Sequence, residues 1–188
     1  MSHPPPFTPG SAGDHEHSVR VWDPFVRLFH WSLVGCVLLN LFVLEEGEGP
    51  HRWVGYVAAG LVLARIVWGF IGPRHARFSD FFPTPRRLVA HLRALRDGRH
   101  VQYLGHNPLG ALMMLALMAL VLALGLTGWL QGTDAYGGQE WLEELHETLA
   151  NTLMLAAGLH ATAALVMGQF EDVSLVRAMF TGVKRFRR

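Results

Sequence analysis

Cysteine and charge are both scarce in this chain of 188 residues. A single cysteine, Cys36, excludes an internal disulfide, a Cys-x-x-Cys-His attachment site and any thiolate-based zinc centre. Charged residues make up 16%, against about 25% in an average globular domain, while hydrophobic residues reach 51%. The charges nearly cancel, with 16 Lys plus Arg against 15 Asp plus Glu, which argues against a nucleic-acid partner. There is no internal repeat and no glycine-rich phosphate loop. The opening residues also lack the basic, apolar, small-residue order of a secretory signal, so no cleaved leader is expected. Histidine, by contrast, is abundant: the chain has eleven.

Residues 1–21 are rich in Pro, Gly, Ser and His and read as a disordered tail. His15 and His17 within it read as titrating groups rather than a metal site. Residues 22–188 form one domain with four long apolar stretches, at about 24–44, 51–71, 107–130 and 145–167. Each is close to the roughly 20 residues that cross a bilayer core. The third carries no charge at all. Asp23-Pro24 supplies an N-cap and first helical residue for the first stretch, and Gly72-Pro73 ends the second. Most of the tryptophans lie near stretch ends, where an interfacial belt would place them. A soluble bundle of such helices would lack the polar surface to cover them. The fold class is therefore all-α, an integral membrane four-helix bundle.

Basic residues give the orientation. Arg20 and Arg27 flank the start of the first stretch. Arg74, Arg77, Arg86, Arg87, Arg93, Arg96 and Arg99 lie between the second and third, and Arg177, Lys184, Arg185, Arg187 and Arg188 follow the fourth. The positive-inside rule makes that side, with both termini, cytoplasmic. The other side is acidic, with Glu45, Glu46, Glu48, Asp134, Glu140, Glu143, Glu144 and Glu147 set against Arg52. Thr84-Pro85 can cap a short amphipathic cytoplasmic helix that runs to Asp97-Gly98 and lies on the inner leaflet. Residues 173–183 are a candidate for another.

Depth sorts the histidines. His51 and His146 open the second and fourth helices on the acidic side, whereas His30 and His160 lie near the basic side. His146 and His160 are two heptads apart, so they share a face about 21 Å apart along the axis. Each has a depth-matched histidine on another helix. Paired imidazoles across a flat gap are the geometry of axial ligation for a non-covalent b-type haem, so His30/His160 and His51/His146 predict two stacked haems. Arg65 lies two heptads after His51, on the same face and level with the inner pair. An intramembrane arginine needs an anionic partner. With no acidic residue in the membrane interior, a haem propionate is the natural counter-ion, and snorkelling to the headgroups is the alternative. His75 and His106 are competing candidates for the inner iron, while His91 and His100 read as solvated.

The stretches VWDPFVRLFHW, HRWVGY, LARIVWGFIGPRHARF, YLGHNPLGALM, HETLAN, GLH and EDVSLVRAMFTG resemble the prokaryotic cytochrome b561 and Ni,Fe-hydrogenase cytochrome b subunit family over about residues 20–186. The resemblance implies a multi-pass protein of the bacterial inner membrane that exchanges electrons between a quinone pool and a redox partner. It implies His30, His51, His146 and His160 as the haem ligands, paired as above, and it offers His106 and Asn107 to folding or a quinone site. The acidic face suits a basic partner such as a periplasmic c-type cytochrome, or another redox subunit. Two other classes stay open. One is a standalone haem oxidoreductase acting on quinol and a small oxidant such as superoxide, with Arg52 beside His51 drawing in the anion. The other is a metal-binding membrane transporter.

Overall fold

The structure, a computed structural model, describes residues 17–99, 103, 105–170 and 174–186. His15 and His100 lie outside the described residues. The chain runs through β1 (His17–Arg20), α1 (Pro24–Phe42), α2 (Gly49–Ile71), a 3-10 turn (Arg74–Ala76), α3 (Phe78–Phe81) and α4 (Pro85–Arg96). It continues through α5 (Pro108–Gln131), α6 (Glu140–Phe170), α7 (Leu175–Thr181) and β2 (Val183–Phe186). One end of the bundle, here the base, carries β1, β2, α3, α4 and α7. The other end, the top, carries the two loops at 43–48 and 132–139.

Helix starts follow local chemistry. The Asp23 carboxylate accepts from the Phe25 and Val26 amides at 2.9 and 3.2 Å, with Pro24 as the first helical residue. Asn107 caps α5 through the Gly110 amide at 2.7 Å, and Thr84 caps α4 through Arg87 at 3.3 Å. Four helices are long and apolar enough to cross a membrane, with spans of 19, 23, 24 and 29 residues. Even the shortest reaches about 28 Å at the helical rise. Few span residues are buried inside the protein, and Leu63, Val67, Leu126, Leu155, Leu159 and Leu165 face outward. That is the inverse of a soluble bundle and what a lipid solvent permits. The interior core is small: Phe29, Ala58, Val62, Met118, Val121 and Leu153.

Three features depart from the sequence reading. First, α6 begins at Glu140 rather than near residue 145. Glu140 and Glu143 suit the positive end of the helix dipole, and Leu142 is buried with its carbonyl accepting from the Gln131 amide at 3.2 Å. His146 therefore lies nearly two turns inside α6 instead of opening it.

Second, the chain is not wholly α-helical, and residues 17–20 are not disordered tail. β1 pairs antiparallel with β2, with Val19 opposite Lys184 and Arg20 opposite Val183. The chain leaves α7 for β2 at Gly182, whose φ of 81° and position beside the Trp22 carbonyl leave no room for a side chain. Lys184 is buried there, donating to the Tyr103 and Gly105 carbonyls, both at 3.0 Å. Third, His91 is 4% exposed and packs edge-on to Tyr103 with ring centroids 5.3 Å apart, so it is not a solvated residue. Burial lowers its pKa.

Candidate haem-ligand site

The packing of the helices leaves a slot. α2 packs closely on both α1 and α5, and α5 on α6, whereas direct contact of α6 with α1 and α2 is sparse. The four depth-matched histidines face into that gap. The rings of His30 on α1 and His160 on α6 lie 6.4 Å apart by centroid, at 54° to one another. Those of His51 on α2 and His146 on α6 lie 6.3 Å apart, at 61°. An iron between two imidazole nitrogens, each about 2 Å away, with about 1.1 Å more to each ring centre, separates centroids by about 6.2 Å. Both pairs match that spacing.

The surroundings of the two pairs differ. At the upper pair, Thr127 of α5 meets His146 Nδ1 at 2.7 Å, and Gly128 lets the ring approach: a Cβ there would sit 3.3 Å from the imidazole Cε1. Asn40 donates to the His51 carbonyl at 3.2 Å, tying α1 to the start of α2. Arg52 leans its guanidinium against Gly132, the C-cap of α5, where the helix dipole favours a cation.

At the lower pair, His30 packs edge-on to Trp31, which stacks on Phe180 at 4.2 Å. Arg65 is 1% exposed, so it does not snorkel out of the protein. Its Nη2 donates to the Ala76 carbonyl at 3.0 Å and its guanidinium lies 5.3 Å from the Phe78 ring centre, while Nη1 has no hydrogen-bond partner. Asp23 ties down the same end, accepting from the Trp68 indole at 3.4 Å as well as capping α1.

The competing histidines are accounted for separately. His75 contacts Asp80 at 3.2 Å, and Asp80 also pairs with Arg74. His106 sits between Trp22 and Phe81, with centroids 4.7 and 4.9 Å away. Burial first, then the cations Arg65 and Lys184, then His160 and His30, push its imidazole down to about 3. His106 is therefore neutral at pH 7 and belongs to the base packing. Among the described residues, no group of three or more His, Cys, Asp and Glu side chains could hold a metal ion. Sequence reasoning missed Thr127, because a threonine inside an apolar helix carries no signal until the facing helix is known.

A four-helix membrane bundle presenting imidazoles in pairs across an iron-sized gap has the architecture of a membrane b-type cytochrome. The model of the family described as prokaryotic cytochrome b561 matches residues 21–182. The chain is 27% identical to the probable Ni/Fe-hydrogenase B-type cytochrome subunit of Rhodobacter capsulatus, over 90% of this chain and 82% of the relative. The similarly named proteins of Azotobacter vinelandii and Bradyrhizobium diazoefficiens are 28% and 25% identical, covering 71% and 90% of this chain and 70% and 87% of their own. No solved structure matches the chain significantly. The chain belongs to the prokaryotic cytochrome b561 family, which makes it a membrane b-type cytochrome and implies electron transfer.

Proposed function

We propose that the protein holds two b-type haems, one between His30 and His160 and one between His51 and His146, and relays electrons across the membrane. The carrying observation is that two imidazole pairs, at 6.4 and 6.3 Å, share α6 and lie about 21 Å apart along it. When bound, the haems supply the one-electron chemistry; the chain supplies ligation, spacing and electrostatics. Arg65, buried with Nη1 unpartnered beside the lower pair, holds a propionate of the lower haem.

The base faces the cytoplasm of a bacterial inner membrane, as its arginines require. There α4 lies on the inner leaflet, with Val89, Leu92 and Leu95 exposed beside Arg86, Arg93 and Arg96. Electrons exchange with the membrane quinone pool and, at the acidic top, with a redox partner. The names of the relatives point to a hydrogenase or another redox subunit, and the acidic loops also suit a basic c-type cytochrome. Arg52 is exposed and leans on the end of α5, and nothing in its surroundings singles it out for capture of a small anionic oxidant.

The test is a reduced-minus-oxidised spectrum of the purified protein together with haem quantification by pyridine haemochrome. The expected result is a b-type spectrum and two haems per chain. A haem-free protein that carries zinc would overturn the reading in favour of a metal-binding module.

A further inference from the structure

The hydroxyl of Thr127 has one proton to give. Oγ1 lies 3.0 Å from the Ala123 carbonyl and 3.2 Å from the Leu124 carbonyl, both within α5, and 2.7 Å from His146 Nδ1. Carbonyl oxygens only accept, so the hydroxyl proton goes into the α5 backbone. His146 then donates its Nδ1–H to Oγ1. The reverse arrangement would set the hydroxyl lone pairs against two carbonyl oxygens. Donation from Nδ1 leaves the lone pair of Nε2 as the only one the ring can offer to a metal. Thr127 is buried, where such a bond is not diluted by water. By contrast, the buried Nδ1 atoms of His30 and His51 have no hydrogen-bond partner.

We propose that Thr127 is a positioning residue for the upper haem: it locks His146 in the Nδ1–H form, orients the ring towards His51 and makes it a more basic ligand. The inference rests on the two-haem reading above. A ligand imidazole that donates from Nδ1 pushes more electron density onto iron and favours the oxidised state. Thr127 thereby lowers the potential of the upper haem alone.

The test compares Thr127→Val and Thr127→Ser with the wild-type holoprotein, using haem content, optical redox titration and the low-spin haem signals in electron paramagnetic resonance. Val keeps the shape and removes the oxygen, whereas Ser keeps the oxygen. In Thr127→Val, one of two redox waves shifts to higher potential and one low-spin signal moves, while the other haem is unchanged. Thr127→Ser restores both. Should the Val variant shed the upper haem, its recovery in Thr127→Ser supports the proposal, and equal loss in both variants overturns it. Unchanged potentials, or equal shifts of both waves, also overturn it. A wild-type protein with no upper haem would instead fail the two-haem reading. The tautomer is then read from the His146 ring nitrogen shifts by NMR, where Nδ1–H supports the role of Thr127 and Nε2–H overturns it.

Discussion

The two histidine pairs are nearly equal in spacing and unlike in how they are held. The upper pair is fastened by directional bonds: Thr127 to the His146 ring, and Asn40 to the His51 backbone. The lower pair is fastened by bulk and charge. Trp31 packs on the His30 ring, and the buried cation Arg65 is tethered to Ala76 beneath it. One scaffold thus gives its two sites different means of control. On the two-haem proposal, hydrogen bonding would tune ligand basicity at the top, and a positive field would act at the base. Such a field would disfavour the oxidised, more positive iron relative to the reduced one, and pairing of a propionate with Arg65 would add affinity.

Removing a ligand tests the independence of the pairs and carries the largest effect. Replacing His51 with Ala is expected to cost the upper haem while the lower remains, so haem content falls from two to one. Replacing His30 with Ala is expected to do the reverse. Loss of both haems from either single variant would show that the sites are one cooperative unit. A smaller effect follows from Arg65→Met, which keeps the bulk and removes the charge. It orphans the Ala76 carbonyl and is expected to cost about 1–3 kcal/mol in thermal or denaturant unfolding. Haem loss should be confined to the lower site, and an equal loss at both sites would dissolve the distinction between them.

Much of this division was legible in the residues. The four spans follow from unbroken apolar runs, and the cap at Asp23 forms as its side-chain chemistry dictates, whereas the cap at Asn107 emerges only in the structure. The pairing of histidines follows from helical rise, since residues fourteen apart must share a face. What was not legible depends on contacts distant in sequence. The β1–β2 ribbon joins residues 17–20 to 183–186, and neither segment carries an alternating pattern strong enough to announce a strand. The charged first turns of α6 read as loop until Leu142 is seen to be buried. His91 looked like one more polar residue of a basic helix, yet α4 packs its His91 and Ala94 inward, against the base. Thr127 acquires meaning only because α5 and α6 bring it to His146.

The smallest expected effect sharpens the comparison at the base. His106 is held near 3 in the folded protein, and an unfolded histidine titrates near 6.5. The unfolded chain therefore binds a proton first as pH falls, so stability is full above about 6.5 and drains away towards 3. At pH 5 the loss amounts to about 2 kcal/mol, a figure set by the distance of pH 5 from the unfolded value. His91, also lowered by burial, adds to the same slope. Measuring unfolding temperature in detergent at pH 7 and pH 5 should show this loss, and His106→Gln should remove the share due to His106. Haem release monitored in the same experiment should begin at the lower site, because His106 packs between Trp22 and Phe81 at that end. Earlier release from the upper site on acidification would contradict the assignment of His106 to the lower end.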